Sequence, residues 1–210
     1  MSIYSDRTIR NLGYAGMIEP FEPTLVRSID CTYVSETNPD KQMKVDLPMI
    51  SYGTSSYGYD LRLSPRDFQL FQHIPGTIMD PKAFNPANLA PATLYNDPSK
   101  GSYFVIPAHS YGLGVALERL RMPRNVTAVA VGKSTYARMG IIVNTTPAEA
   151  GWEGHLTLEL SNSSGADCRI YAGEGICQLL FFEGSACDVS YSDRKGKYQH
   201  QSEQVTHARV

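Results

Sequence analysis

Glu159 lies in the middle of the run His155-Leu156-Thr157-Leu158-Glu159-Leu160-Ser161, which alternates polar and apolar without a break. That is the period of a half-buried strand. Leu156, Leu158 and Leu160 take one face; His155, Thr157, Glu159 and Ser161 take the other. Glu is depleted in strands, so a carboxylate at this place needs a reason. Either its face is open to water, or it lines a polar pocket, where it could take a proton from a reactant and return it. Upstream lies Gly132-Lys133-Ser134-Thr135-Tyr136-Ala137-Arg138-Met139-Gly140. The two glycines bracket about two helical turns. Ser134 and Arg138, four apart, share a face there. Ser134 and Thr135 near its start leave backbone N–H groups free for an anion, and Lys133 adds charge. A capped surface helix reads the same way.

The elements that must position these residues are mostly strands. The chain has 210 residues, ample for one core, with thirteen prolines and seventeen glycines punctuating short apolar runs. That pattern favours strands and turns over long helices. Ser5 is expected to cap a short helix reaching Tyr14. The polarity pattern predicts strands over 57–63, 68–71, 103–106, 111–118, 126–131, 141–145, 155–161, 168–171 and 176–183. Residues 20–48 give no clear strand boundaries. Residues 75–101 carry Pro75, Pro81, Pro86, Pro91 and Pro98, and read as an ordered excursion touching a neighbouring subunit, since structureless loops of that length are uncommon. The tail from 191 is polar, aromatic and basic.

Composition narrows the function. A net charge of −2 argues against a large nucleic-acid footprint. No apolar stretch approaches a membrane span and no signal-peptide core is visible, so a cytoplasmic location is expected. Cys31, Cys168, Cys177 and Cys187 are scattered with no C-x-x-C, the pattern of reduced thiols in such a compartment.

Read in order, Gly132–Gly140, Gly151-Trp152-Glu153-Gly154 with the strand to Asn162, Gly175-Ile176-Cys177-Gln178-Leu179-Leu180-Phe181, and Tyr191-Ser192-Asp193-Arg194-Lys195-Gly196-Lys197-Tyr198-Gln199-His200-Gln201 are specific in combination. The chain resembles the dCTP deaminase family of the trimeric dUTPase-like superfamily. Ser55-Ser56-Tyr57-Gly58-Tyr59-Asp60-Leu61-Arg62 and Ser5-Asp6-Arg7-Thr8-Ile9-Arg10 also fit that family. The resemblance implies a mainly β fold, a distorted jelly-roll-like barrel with a short N-terminal helix, in a single domain over 1–210. It implies a homotrimer with sites shared between subunits, and a C-terminal lid over 191–210. The implied reaction is dCTP + H₂O → dUTP + NH₃, a hydrolase step in pyrimidine deoxynucleotide metabolism.

By resemblance, Glu159 is the general base and acid, and Ser134 and Arg138 position the water and steady the charge beside it. Thr157 lies on the strand whose backbone reads the pyrimidine edge. Lys133, Ser134, Thr135, Tyr191, Lys197 and Gln201 meet the triphosphate, Gln178 adds a further contact, and Glu149 takes the place that holds the sugar 3′-hydroxyl. Cytidine-type zinc deaminases carry an H-x-E and P-C-x-x-C signature, and this chain has neither. No zinc is expected, and Mg²⁺ would enter on the substrate triphosphate. dTTP is a candidate inhibitor.

Two departures stand out. In Ala148-Glu149-Ala150-Gly151-Trp152 the proline usual in relatives is missing, which leaves the turn less pre-set. The loop Asn144-Thr145-Thr146-Pro147-Ala148 is shorter than in relatives that also cleave the triphosphate, which argues for deamination alone. A dUTPase or bifunctional enzyme is the alternative, but the glycine-rich arm of trimeric dUTPases is absent. A catalytically silent nucleotide-binding regulator is the other. Trp152 reads as a packing anchor at its turn. Asp60 matches an aspartate near the dUTPase active site, yet in deaminase relatives that segment looks structural.

Overall fold

The computed structural model describes residues 2–35 and 38–209. The chain order is β1 (Ser2–Ile3), α1 (Asp6–Tyr14), β2 (Ile18–Glu19), β3 (Leu25–Ser35), β4 (Asn38–Ser55), β5 (Gly58–Phe71), a 3₁₀ turn (Pro86–Asn88), β6 (Leu89–Pro91), β7 (Tyr95–Asp97), β8 (Gly101–Ile106), β9 (Tyr111–Arg121), β10 (Val126–Gly132), α2 (Ser134–Ala137), β11 (Ile141–Val143), β12 (Thr146–Ala148), β13 (Glu153–Asn162), β14 (Cys168–Tyr171) and β15 (Gly175–Glu183). Among the described residues, twelve strands form one sheet, whose main path runs β11-β13-β9-β5-β15-β10-β12 and curls into a half-barrel. β14, β8 and β7 make a small second sheet.

Alternation in the sequence becomes the core. Leu158 and Leu160 on β13, Leu61 and Leu63 on β5, and Leu179 and Phe181 on β15 are all buried. Burying each such side chain stabilises the fold by roughly 1.5–3 kcal/mol. α1 covers one flank with Ile9 buried. Ser5 stands at its N-cap, but only its backbone carbonyl serves the helix, accepting from Ile9 N–H at 3.0 Å; its side chain makes no cap bond.

The structure corrects several expected boundaries. The two strands expected over 57–63 and 68–71 are one strand, β5, with an irregularity between Leu63 and Phe68. Its first half pairs with β4 and β15, and its second half with β9 and β6. Pro65 sits in this corner, a place where a missing N–H costs no ladder bond. Within residues 20–48, β3 and β4 form a long antiparallel hairpin; Glu36 and Thr37 lie outside the described residues. The excursion over 75–101 contains the 3₁₀ turn, β6 and β7. α2 has four residues, shorter than the expected two turns.

Candidate active site

β13 is flanked on one side by β9 along most of its length. Its other edge is covered only in parts. β11 pairs with Leu160–Asn162, and Gln201 of the tail pairs with Gly154. Between these covers, the backbone N–H of Thr157 turns outward and donates to Gln201 Oε1 at 3.3 Å. Glu159 projects from this stretch into a cavity of about 490 Å³. Its walls come from five parts of the chain, one of them Thr146 and Pro147 of β12. Thr157, Glu159 and Trp152 belong to β13 and the turn before it; Tyr111 and Leu113 to β9; Met79, Pro81 and Phe84 to the excursion; Tyr191, Tyr198 and Gln201 to the tail.

Burial pushes the Glu159 carboxyl up from the ordinary carboxylate range, and its own backbone N–H pulls it back in part. Among the described residues, no charged group opposes the shift. A carboxylate raised by desolvation is the state a general base near neutral pH requires. Thr157 also touches the tail through its side chain. Its hydroxyl donates to Gln201 Oε1 at 3.4 Å and accepts from Thr206 N–H at 3.2 Å.

The tail lies docked across the cavity. His155 N–H donates to Gln201 C=O at 3.0 Å, and His200 N–H to Glu153 C=O at 2.7 Å. Trp152 donates its indole N–H to Tyr198 C=O at 2.8 Å. So the packing anchor expected at Trp152 is present, and it is also a wall of the cavity. Gly154 allows this approach: a Cβ there would stand 2.7 Å from Gln201 N, on a backbone with φ +149°. Gly196 plays the same part inside the tail, where a Cβ would meet the Tyr191 ring at 2.1 Å.

The expected site residues divide into two groups. Glu149, Thr157, Glu159, Tyr191 and Gln201 line the cavity together. Glu149 also forms an ion pair with Arg194 of the tail. Ser134, Thr135 and Arg138 do not line it; they are exposed on and just after α2. Arg138 donates only to the Ser134 carbonyl, at 3.2 Å. Lys133 turns inward to an ion pair with Asp60. Gln178 donates to the other Asp60 oxygen at 2.9 Å. Lys197 is exposed and donates to Arg209 C=O at 2.6 Å.

Sequence reasoning missed the apolar wall of Met79, Pro81, Phe84 and Leu89, and the part of Tyr198. Tyr198 stands inside the matched tail run and could have been found there. The wall has no local signal. Among the described residues, no three His, Cys, Asp or Glu side chains converge as a metal cluster, and no helix is long and apolar enough to cross a membrane.

Comparison with known proteins places this arrangement. The dCTP deaminase-like family matches residues 3–184. The chain belongs to that family. A dCTP deaminase of Bordetella parapertussis is 46% identical over 202 residues, covering 96% of both chains. One from Acidovorax sp. (strain JS42) is 47% identical over 203 residues, again covering 96% of each. Among solved structures, the 2′-deoxycytidine 5′-triphosphate deaminase of Agrobacterium tumefaciens superposes with a TM-score of 0.52 at 17% identity. It covers 87% of this chain, which spans about half (48%) of that longer protein. At that identity the likeness is one of fold. The family match ends before the tail, whereas the curated relatives cover nearly the whole chain.

Proposed function

We propose that this chain is a metal-free dCTP deaminase, converting dCTP and water to dUTP and ammonia, with Glu159 as general base and then general acid. The observation that carries this is a half-buried carboxylate, raised by desolvation, that projects into a cavity on the polar edge of β13. The carboxylate takes one proton from water as the water oxygen adds to C4, and delivers it to N3. It then carries the remaining hydroxyl proton to the exocyclic amine, which leaves as ammonia while C4 becomes a carbonyl. One group in two protonation states serves both steps. Zinc chemistry of the cytidine-deaminase kind would need ligands that the sequence lacks. Mg²⁺ accompanies the substrate on its triphosphate.

Thr157 and its backbone read the pyrimidine edge, and Glu149 takes the sugar. Tyr191, Gln201 and Lys197 close over the phosphates, the tail acting as a lid that orders on nucleotide. Ser134, Thr135 and Arg138 serve from a neighbouring copy in a homotrimer. What supports this is their exposure outside the chain's own cavity, beside the exposed apolar side chains Met139 and Ile142 on and before the sheet's edge strand β11. The enzyme is cytoplasmic, and dTTP competes at the same site. The test is incubation with dCTP and, separately, with dUTP, followed by assay of ammonia and pyrophosphate. Ammonia from dCTP without pyrophosphate from dUTP is the expected result. Pyrophosphate from dUTP would make the enzyme bifunctional or a dUTPase, and no product from either would leave a binding protein.

A further inference from the structure

Asp60 is nearly buried, with its side chain 5% exposed, and it is engaged from two sides. One oxygen receives the Lys133 ammonium, whose side chain is 11% exposed and which also donates to Ser51 Oγ at 3.1 Å. The other receives Gln178 Nε2, which donates in turn to Ser55 Oγ at 3.1 Å. Gln178 of β15 and the residue that opens α2 therefore meet on one β5 carboxylate, and β4 joins them through Ser51 and Ser55.

Such a pair is a weak source of stability, because desolvating both charges offsets most of their attraction. Its value lies in what it fixes. α2 has four residues, and a single turn does not sustain itself, because helix nucleation is unfavourable. Ser134, Thr135, Ala137 and Arg138 face outward. Between the paired ends of β10 and β11 that flank it, two side-chain tethers hold the segment. Tyr136 is buried and its hydroxyl accepts from Tyr171 N–H at 2.9 Å. Lys133, immediately before Ser134, is tied to Asp60. Without the second tether, Tyr136 is the one side-chain anchor left between those strand ends, and the turn that carries Ser134 and Arg138 is free to shift about it.

We propose that Asp60 is a positioning residue for the deamination: through Lys133 it sets the orientation of α2, and so of Ser134 and Arg138, and it holds Gln178 in the same frame. This rests on the reading that Ser134 and Arg138 serve the reaction. Lys133 on this view is a strut first, and its ammonium does not lie free for phosphate.

The test uses the full-length enzyme with dCTP and Mg²⁺. Asp60→Asn keeps the shape and removes the charge. Wild-type ammonia release is the baseline, and its absence sinks the deaminase reading and this inference together. With an active wild type, Asp60→Asn should lower kcat by ~10–100-fold, the scale of a small misplacement of catalytic groups. The acid limb of its pH profile should stay in place, because Glu159 is untouched. Lys133→Met should lose as much, and the Asp60→Asn/Lys133→Met double variant no more than the worse single, since both remove one strut. Lys133→Arg keeps the pair and should keep most of the activity. A merely structural role would instead lower the melting temperature and the active fraction while leaving kcat per active site unchanged. That result, unchanged kcat in Asp60→Asn, or additive losses in the double variant would overturn the proposal. Should Asp60→Asn fail to fold, Lys133→Met against Lys133→Arg decides it: equal activities would overturn it.

Discussion

Thr157 and Gln201 meet at 3.4 Å across the edge of the cavity, yet they belong to regions built by different means. Thr157 stands on β13, whose Leu158 and Leu160 are sunk in the core and whose backbone is paired to β9. Gln201 stands in a tail with no regular element, held by scattered hydrogen bonds to Glu153, Trp152, Thr157 and Asp67 and by ion pairs such as Arg194 to Glu149. The floor is fixed by burial, which is lost only on unfolding. The roof rests on contacts worth about 0.5–1.5 kcal/mol each, which can open one after another. A site divided in this way holds its carboxylate rigid under a cover that is free to open.

The sharpest way to break the comparison is at the floor. Glu159→Gln keeps the shape and removes the base, so dCTP should still bind while kcat falls by ~10²–10⁴-fold. Near-normal ammonia release by this variant would end the assignment. The wild-type profile gives a second check on the same group. Burial raises the Glu159 carboxyl, so as pH falls its base form is lost earlier than an ordinary carboxylate's would be. The acid limb of kcat/KM should therefore lie above the usual carboxylate range, and should fall back towards it when the tail, which forms part of the cavity wall, is removed.

At the roof the effects should be smaller and should fall on binding. Truncation after Asp188 removes the tail but leaves the sheet core, and the shortened protein should keep its oligomeric state and much of its melting temperature. Losing two or three contacts should cost ~10–100-fold in kcat/KM. A collapse of the fold instead would mean that the tail belongs to the floor. Gly154→Ala probes the same seam without deletion. The added Cβ meets Gln201 N at 2.7 Å, and the backbone there has φ +149°. It should raise KM by several-fold, towards the truncation value, with kcat affected less; an unchanged KM would show that tail docking at Gly154 does not matter for substrate.

The two regions also differ in how far the sequence discloses them. β13 and its outward Glu159 follow from alternation alone, because the period of a strand is local. The α2 turn follows from its bracketing glycines, although its length does not. The docking of the tail does not follow from local pattern. Phe84 and His207 have ring centroids 5.0 Å apart and Asp67 accepts from Val205 N–H at 2.8 Å, contacts between segments far apart in sequence. The apolar wall of Met79, Pro81 and Phe84 is similarly hidden, since nothing in a proline-rich excursion says which surface it will lie against. Asp60 is the instructive case: its neighbours mark it as a strand residue, and only the fold brings Lys133 and Gln178 to it.

The smallest effect expected is at Lys197. Its ammonium is exposed and donates to Arg209 C=O, while Arg209 Nη1 donates back to Lys197 C=O at 3.2 Å. To meet a phosphate it must exchange that carbonyl for a stronger, charged acceptor, a gain that is partly screened by solvent. Lys197→Ala should therefore raise KM for dCTP a few-fold with kcat unchanged, the mark of a contact made equally in ground and transition states. Limited proteolysis tests the same step without mutation. Cleavage near Arg194–Lys197 should be fast in the free enzyme and slow with dCTP and Mg²⁺, because contacts to the triphosphate would hold the segment closed. Equal cleavage rates with and without nucleotide, together with an unchanged KM in Lys197→Ala, would make the roof a fixed part of the structure and return Lys197 to an ordinary surface charge.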